Sequence, residues 1–528
     1  MELCTYKITI KGTVQGVGFR PFVYALAKRY LLTGTVSNGS HGVEIFVNSD
    51  SITFNQFKIA LEYEAPILAQ IESIEHIEIA FRRFEAFSII ETEEKGDVLV
   101  NIPADVNVCE NCQKELFDLN NRRFEYPFIT CTDCGVRYSI IDDLPYDRVN
   151  TSMKFFKMCE ACEAEYSNPL DRRYHAQPIG CWDCGPKLEL VGQTNLYSKN
   201  IIDRTVSLLK EGKILAIKGV GGYHLMCDAT NEESVTKLRE RKRRPSKPFA
   251  VMVKDIEMAK ALASISKQEE ALLTSKERPI VLLKAKKEHK GIAPHISRIG
   301  LFLPYTPLHL LILKAFNRPL VATSANITDE PLATNRESIE RLSTIYDVLL
   351  DHDREIVNGC DDSVAMVVKN QTVILRRARG FAPAKITLPF NLEKKVLAVG
   401  ANQKNSIAIG FDNQVILSPH IGDLDGIASV EYFEKNIKNL KRIYRFEPEV
   451  IVCDKHPNYE STKYAYRYGN NKPLQIQHHY AHILAVMAEK QLTTKVFGVA
   501  FDGTGYGDDG KLWGGEFMVC DYEGYERV

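Results

Sequence analysis

Apolar and polar residues alternate at the start of the chain. Residues 6–10 follow this pattern, which predicts a half-buried β-strand, and a helix is predicted to begin near Pro21 because proline suits the first helical position. Residues 43–47 alternate again, whereas apolar residues within 54–61 recur at helical spacing. Further strands are predicted within 74–90. The order βαββαβ predicts a small ferredoxin-like α+β sandwich.

From about residue 200 onward, the order of predicted helices and strands is typical of mixed α/β folds. Residues 200–253 run helix, strand, glycine turn, helix, basic loop and strand, and from residue 396 apolar strands carry a glycine-rich turn. Polar or proline-interrupted linkers are predicted near 94–97, 192–200 and 383–395. The chain is therefore predicted to be a multidomain α+β and α/β protein with four domains, at 1–93, 94–192, 193–386 and 387–528.

Composition narrows the functional class. The chain has 528 residues, 45% of them hydrophobic, and a formal net charge of −1, which argues against gross electrostatic capture of nucleic acid or an anionic membrane. Its first residues alternate in polarity instead of forming a basic start and an apolar run, and we see no apolar stretch of membrane-spanning length. The sequence predicts a cytoplasmic protein with no membrane partner.

Eight of the thirteen cysteines form four CxxC pairs. A CxxC turn places two sulfurs on one side of a tight loop, and two such turns complete a tetrahedral thiolate site for zinc. Redox chemistry is the alternative, but four pairs with mirrored spacing favour two structural zinc ions in a zinc-ribbon-like region. Spacing leaves the pairing of the CxxC turns open. The predicted ligands are Cys109, Cys112, Cys131, Cys134, Cys159, Cys162, Cys181 and Cys184.

The loop "GTVQGVGFRP" has the composition of an anion-binding turn. Gly16 and Gly18 can adopt positive φ, so that successive backbone N–H groups point inward, and the following helix adds its positive end. Arg20 would add a bidentate fork. The loop is not a Walker motif, because no Gly-Lys-Ser/Thr follows. Residues Gly16, Val17, Gly18 and Phe19 are therefore predicted to bind an anion.

The stretches "VQGVGFRPFVYALA" and "GTVSNGSHGVEI" resemble the acylphosphatase family. In that family the arginine holds the phosphate and the asparagine orients the attacking water, and the matching positions are Arg20 and Asn38. The resemblance implies cleavage of a mixed carboxylic–phosphoric anhydride. A phosphate-binding domain that no longer hydrolyses is the alternative.

Seven basic residues lie between Lys237 and Lys247, and on charge alone they indicate a solvated helix end. However, "LPYTPLHLLIL", "VATSANITDEPL", "HDREIVNGCDDSV" and "RRARGFAPAKI" resemble the YrdC-type family, which makes carbamoyl-adenylates from ATP. Adenylation needs several cations around a triphosphate and its Mg²⁺, and hydrogen-bonding groups around the nucleotide or acyl group. The candidates are Lys218, Arg241, Lys242, Lys247, Ser324 and Asn326.

In "IQHHYAH", His478 and His482 are four residues apart and would project from one helical face toward a common divalent metal. Such a pair alone is more often simply packed or exposed. Asp502, in "AFDGTGYGDDGKLWGGEF", would contact phosphate or metal-bound water. Both segments resemble the carbamoyltransferases related to tRNA threonylcarbamoyl-transfer enzymes, which implies the first lobe of an actin-like (ASKHA) domain.

Together the four units resemble the carbamoyltransferase family of nickel–iron hydrogenase maturation. The resemblance implies hydrolysis of carbamoyl phosphate, adenylation of the carbamate by ATP, and carbamoyl transfer to the C-terminal cysteine of HypE, toward the cyanide ligand of the hydrogenase iron. A thiolate suits attack on an activated carbonyl. The alternatives are a tRNA threonylcarbamoyl-type modification enzyme and a zinc-containing nucleic-acid-binding regulator.

One expectation concerns the last domain. The family's transferase domain has a second half beyond the glycine-rich "DGTGYG" turn, and this sequence ends at Val528 soon after it. We therefore expect an incomplete transfer site, in a chain that forms carbamoyl-adenylate but transfers it poorly.

Overall fold

The structure, a computed structural model, describes residues 3–14, 16–39, 42–66, 68–90, 102–192, 198–327, 330–469 and 472–528. The chain divides into two compact units. The first comprises Met1–Ala325 and Ala333–Leu375, and the second comprises Asn326–Leu332 and Arg376–Val528. The predicted linker at 94–97 and most of the predicted linker at 192–200 lie outside the described residues.

The N-terminal part has the predicted ferredoxin-like arrangement. Its five-stranded sheet has the order β4-β1-β3-β2-β5, in which β1 pairs antiparallel with both β3 and β4. Apolar side chains of both helices pack with the inward-facing residues of the sheet, because each element carries its apolar residues on one face. The elements are β1 Cys4–Thr13, α1 Phe19–Arg29, β2 Thr33–Gly39, β3 Gly42–Ser49, α2 Ser51–Tyr63, β4 Gln70–Ile79 and β5 Phe87–Ile89.

The cysteine-rich part is built from turns and short helices. Each of the two α-helices begins directly after the first cysteine of a CxxC pair, and each buries the second cysteine of that pair. Little regular structure is needed there, because metal ligation can replace an extensive core. The helices are α3 Glu110–Phe117 and α4 Glu160–Ser167, with 3₁₀ turns at Tyr138–Ile140, Arg148–Asn150 and Ser152–Phe155.

The rest of the first unit is organised around an eleven-stranded mixed sheet with the order β16-β15-β11-β12-β9-β13-β8-β7-β14-β6, in which β10 also pairs with β11. Strand β6 precedes the predicted boundary at residue 192 and pairs with β14 of this sheet. The strands are β6 Leu188–Leu190, β7 Leu215–Lys218, β8 Tyr223–Asp228, β9 Ala250–Met252, β10 Ala263–Ser264, β11 Ile280–Ala285, β12 Arg298–Phe302, β13 Leu320–Ser324, β14 Val348–His352, β15 Val364–Val368 and β16 Gln371–Arg376. The helices are α5 Ser198–Lys210, α6 Glu232–Arg241, α7 Ile256–Leu262, α8 Lys267–Thr274, α9 Pro307–Phe316 and α10 Arg336–Glu340.

The second unit contains a six-stranded sheet, β17-β20-β19-β18-β21-β22, with antiparallel strands on one side and parallel strands on the other. A three-stranded sheet, β23-β26-β27, and the pair β24-β25 follow. The strands are β17 Ala384–Thr387, β18 Val396–Ala398, β19 Ala408–Phe411, β20 Gln414–Leu417, β21 Val450–Asp454, β22 Leu474–Ile476, β23 Val496–Ala500, β24 Gly505–Tyr506, β25 Leu512–Trp513, β26 Glu516–Cys520 and β27 Tyr525–Arg527. The helices are α11 Ile427–Ile443, α12 Glu460–Tyr468 and α13 His478–Glu489.

The prediction of a multidomain α+β and α/β fold is confirmed by these sheets. Strand β17 starts just before the predicted boundary at 387 and pairs with β20 of the second unit. The four domain ranges themselves stay predictions. Across the described residues, every helix is either too short or too polar to traverse a lipid bilayer.

Candidate active sites and metal centres

The loop before α1 has the backbone of an anion nest. Gly16 and Gly18 both adopt left-handed φ, at 69° and 76°, and Gly18 is the N-cap of the helix. Val17, between the two glycines, and Phe19, directly after Gly18, are buried in the core, and their burial fixes the loop. Left-handed glycines at a helix N-terminus are typical of nests that bind an anion through successive backbone N–H groups.

Asn38 lies on β2, near the end of that strand. Its side-chain oxygen is buried and accepts no hydrogen bond from the described residues. A buried amide oxygen without a donor costs free energy unless a ligand or water supplies one. The Asn38 oxygen can therefore accept a hydrogen bond from a ligand or a water molecule.

The cysteine-rich part contributes to this site, and the sequence analysis did not anticipate that. A Cβ added at Gly18 would lie 3.2 Å from Thr132 Cβ, and one added at Gly16 would lie 3.5 Å from the Tyr146 ring. Burial lowers the pKa of Arg20, and the negative charge of Asp147 partly opposes this. Nothing in the motif spacing indicated these neighbours, because they come from a separate segment of the chain.

The eight predicted zinc ligands form two groups of four. In the first group, adjacent sulfurs lie 3.7 Å apart for Cys109–Cys131, 3.7 Å for Cys131–Cys134 and 3.6 Å for Cys112–Cys134. Sulfurs about 2.3 Å from a zinc ion in tetrahedral geometry lie about 3.8 Å from one another. The first group therefore fits zinc.

The second group repeats this geometry. Adjacent sulfurs lie 3.7 Å apart for Cys159–Cys181, 3.8 Å for Cys181–Cys184 and 3.5 Å for Cys162–Cys184. Consecutive CxxC turns along the chain therefore pair with each other, which answers the question that spacing left open. All eight cysteines are free of disulfides, as expected for metal thiolates.

Two of the predicted adenylation lysines are buried, and each donates to the last carbonyl of a strand of the eleven-stranded sheet. Lys218 ends β7, and its ammonium donates a hydrogen bond of 2.9 Å to the His352 carbonyl at the end of β14. The Lys242 ammonium donates one of 2.8 Å to the Ser324 carbonyl at the end of β13. Burial lowers the pKa of Lys242 to about 7 and also lowers that of Lys218. The Lys218 ammonium also lies 3.5 Å from Asp351 Oδ1. Buried ammonium groups with lowered pKa values are typical of functional sites that bind an anionic ligand.

The other four adenylation candidates have different surroundings. Arg241 donates to Asp347 Oδ1 at 2.8 Å and thereby fixes the loop before β14. Lys247 is exposed, and its carbonyl accepts hydrogen bonds from neighbouring arginines. Ser324 lies on β13, whereas Asn326 belongs to the second compact unit, where its amide donates to the Glu330 carbonyl at 2.7 Å.

The histidine pair and Asp502 lie together at the start of α13. Asp502 Oδ2 is 2.7 Å from His478 Nε2 and 3.5 Å from His482 Nε2, so the three side chains offer ligand atoms to one ion. His479, between them in sequence, is buried instead. Imidazole and carboxylate donors suit a divalent transition metal. We name these three residues the histidine–aspartate group.

Asp454, at the end of β21, completes this group and was missed by the sequence analysis. Its Oδ2 accepts a hydrogen bond of 2.7 Å from His478 Nδ1. This contact raises the pKa of His478, and a proton held on Nδ1 by Asp454 would leave Nε2 for a metal. The signal was weak in the sequence, because an aspartate at a strand end has many uses.

A cavity of about 470 Å³ borders the histidine–aspartate group. His482 and Asp502 form its polar end, while apolar residues such as Met487, Phe497 and Phe501 form the rest. The group is therefore open to a ligand on one side. An apolar cavity with a few polar groups at one end is typical of a substrate site.

Models of protein families match nearly all of the described chain. The matches are Acylphosphatase at residues 6–89, HypF finger at 108–141 and 158–191, the Sua5, YciO and YrdC family described as Telomere recombination at 207–378, HypF Kae1-like domain at 391–489, and Carbamoyltransferase, Kae1-like Domain, second subdomain at 498–528.

Similar proteins match across the whole chain. The carbamoyltransferase HypF of Synechocystis is 46% identical over 100% of this chain and 69% of the relative. The HypF of Rhizobium leguminosarum is 45% identical over 99% of this chain and 68% of the relative. A crystal structure of full-length HypF in the phosphate- and nucleotide-bound form has a TM-score of 0.95 at 44% identity, covering 100% of this chain and 70% of that one.

Proposed function

The chain belongs to the HypF family of carbamoyltransferases, and from this membership we propose a sequence of three reactions at the sites described above. As a member it is an enzyme of ATP-dependent carbamoyl transfer in hydrogenase maturation with an acylphosphatase domain. The assignment of each reaction to particular residues is the proposed part. The four predicted domains each contribute, with the zinc-binding region supporting the first site.

The first reaction hydrolyses carbamoyl phosphate to carbamate and phosphate. The nest of Gly16, Val17, Gly18 and Phe19 binds the phosphate through backbone N–H groups, and the Arg20 guanidinium adds a charged fork. Asn38 accepts a hydrogen bond from the attacking water through its otherwise unpartnered oxygen. Water adds to the substrate's phosphorus, and carbamate leaves from the opposite side.

The second reaction joins carbamate to the α-phosphate of ATP and releases pyrophosphate. Lys218 and Lys242 provide buried positive charge, which stabilises the triphosphate and its developing charge. Lys247 contributes from the exposed loop, with Mg²⁺ bound to the nucleotide. Ser324 donates or accepts a hydrogen bond to the nucleotide or acyl group, while Arg241 acts through Asp347 on the loop before β14.

The third reaction moves the carbamoyl group from carbamoyl-adenylate to a thiolate, for which we propose the C-terminal cysteine of HypE. The sulfur bonds to the carbamoyl carbon, the carbon–oxygen bond to the phosphate breaks, and AMP leaves. His478, His482 and Asp502 would hold a divalent ion, which supplies a positive charge for the anionic adenylate. Asp454 fixes the His478 ring. The adjoining cavity, with an apolar wall, accommodates the acceptor's terminal segment.

The observation that carries the first step is the combination of two left-handed glycines with the unpartnered oxygen of Asn38. The test is incubation of the chain with ATP and carbamoyl phosphate while phosphate, pyrophosphate and carbamoyl-adenylate are measured. Arg20→Ala is expected to abolish all three products. Arg29→Ala, on the same helix but in an exposed ion pair with Glu64, is the matched control and should retain them.

Bicarbonate with ammonium supplies carbamate directly and separates the two steps. We expect it to restore adenylation in Arg20→Ala but not in Lys242→Gln, whose missing cation lies in the second site. Adenylation that stays absent in Arg20→Ala under these conditions would contradict the assignment of Arg20 to the first step. Dependence of adenylation on threonine would favour the tRNA-modifying alternative.

A further inference from the structure

The cysteine-rich part consists of two sequence repeats whose equivalent residues lie fifty positions apart. We name residues 109–134 the first repeat and 159–184 the second. Each repeat holds four zinc ligands, a glutamate three residues after its second cysteine, and an Arg-Arg pair ten and eleven residues after that cysteine. The corresponding residues are Cys109 and Cys159, Cys112 and Cys162, Glu115 and Glu165, Arg122 and Arg172, Arg123 and Arg173, Cys131 and Cys181, and Cys134 and Cys184.

The arginines of the second repeat contact the cysteines of the first. Arg172 Nη2 donates to Cys109 Sγ at 3.3 Å and to Cys112 Sγ at 3.2 Å, while its Nη1 donates to Glu115 at 2.8 Å. Arg173 is almost fully buried and contacts Glu115 and the Thr130 carbonyl, also in the first repeat. Both guanidinium groups of this pair therefore bind the opposite repeat.

The exchange is reciprocal. Arg122 donates to the sulfurs of Cys159, Cys162 and Cys181 at 3.3, 3.4 and 3.2 Å. Arg123 is 1% exposed and donates to Cys162 Sγ at 3.3 Å and to the Gly180 carbonyl at 2.9 Å. In both directions the first arginine of the pair thus donates to both cysteines of the opposite repeat's first CxxC turn, which a chance surface contact would not produce.

The exchanged arginines can balance the negative charge of the zinc–thiolate clusters. Four thiolates around Zn²⁺ carry a formal charge of −2, and placing that charge among buried groups is unfavourable unless cations are nearby. The arginines supply charged hydrogen bonds to the ligating sulfurs, and the glutamates orient the guanidinium groups. Each arginine pair also lies on the segment that joins the two CxxC turns of its own cluster.

We propose that the exchanged arginine pairs hold the thiolates of the opposite cluster, so that the two zinc sites bind and release metal as a coupled pair. Zinc in the first cluster fixes the Arg172 segment, which orders the ligands of the second cluster, and the reverse also holds. Because coupling free energy is reciprocal, each ion raises the affinity of the other site. The four arginines are positioning residues, since they act on zinc through its ligands.

The test uses the full zinc-loaded chain, an excess of chelator, and alkylation of released cysteines followed by mass spectrometry. Arg172→Gln lies in the second repeat but is expected to expose Cys109 and Cys112 of the first, with about 10- to 100-fold weaker zinc binding there. Arg122→Gln is expected to expose Cys159 and Cys162. Lys154→Gln, which removes an exposed ion pair with Asp142 between the repeats, is the control and should leave release unchanged.

Two outcomes would overturn the proposal. One is alkylation that begins in the mutated arginine's own repeat, and the other is release that does not differ from the control. Should Arg172→Gln fail to fold, Arg172→Lys keeps the charge but loses the fork, and we expect the same crossed pattern with a smaller factor.

Coupling is tested separately by removing one site. Cys112→Ser disables the first cluster, and we expect the zinc affinity of the second cluster to fall by at least the factor seen for Arg122→Gln. An unchanged affinity of the second cluster would show that the two sites are independent.

Discussion

The cysteine clusters and the histidine–aspartate group differ in how much of their coordination the protein supplies. Each cluster has four sulfurs at tetrahedral spacing and arginine donors around them. In the histidine–aspartate group, His482 is 58% exposed and Asp502 is 37% exposed, beside a cavity of about 470 Å³. Closed four-ligand sites are typical of structural zinc, whereas sites with an open position are typical of catalysis. We therefore expect that removing the metal from a cysteine cluster affects folding, whereas removing it from the histidine–aspartate group affects the reaction.

The largest expected effect is the loss of a cluster ligand. Cys134 is fully buried, so Cys134→Ser should release the first zinc ion and destabilise the surrounding part by several kcal/mol, because structural zinc sites contribute about 10–16 kcal/mol of apparent binding free energy. Zinc content and thermal unfolding measure this. His478→Gln is the comparison variant and should leave the unfolding temperature nearly unchanged; equal destabilisation by both changes would remove the distinction between the two kinds of site.

Loss of a ligand in the histidine–aspartate group should lower the metal affinity of that group and leave the stability of the fold nearly unchanged. The zinc-loaded chain is titrated with Co²⁺, and His478→Gln is expected to weaken Co²⁺ binding at the histidine–aspartate group by more than about 100-fold. Loss of a residue that only hydrogen-bonds to a ligand costs about 10- to 100-fold in metal affinity, and loss of a ligand itself should cost more. Lys490→Gln, an exposed residue that follows the same helix, is the control. Unaltered Co²⁺ binding would refute the metal assignment.

Asp454→Asn tests the hydrogen bond between Asp454 and His478. The variant keeps the size of the side chain but lacks the carboxylate that fixes the His478 ring, so we expect about 10- to 100-fold weaker Co²⁺ binding with normal unfolding. Calorimetry or cobalt absorption measures the affinity. A loss of stability matching that of Cys134→Ser would indicate a structural role for Asp454.

The smallest expected effect is a pH dependence. The contact with Asp454 raises the pKa of His478, so its imidazole becomes protonated at a higher pH than an ordinary histidine and competes with the metal. As pH falls through this raised pKa, Co²⁺ affinity should drop by up to about tenfold per unit, because one proton is displaced per ion bound. Titrations between pH 8 and pH 6 measure this slope, and a flat profile would contradict it. We expect both cluster zinc ions to stay bound over the range.

Much of the first site could be predicted from the sequence because its parts are local. The alternation at residues 6–10, the glycines at 16 and 18, and Arg20 all lie within one strand, loop and helix, and backbone conformation follows directly from such short patterns. The neighbouring Thr132 and Tyr146 could not be predicted. They reach the loop only after a distant segment packs against it.

By itself, the sequence determined the candidate motifs: the CxxC turns, the glycine–arginine loop and the histidines four apart. Each is a local motif whose side chains meet through backbone geometry alone. Only the tertiary structure decided which CxxC turns share an ion, which arginines brace which thiolates, and that Asp454 fixes His478. The physical reason is that the burial of a side chain and its contacts depend on residues from distant segments of the chain. Burial and contacts set the charge balance and the pKa values, and spacing along the sequence carries no information about them.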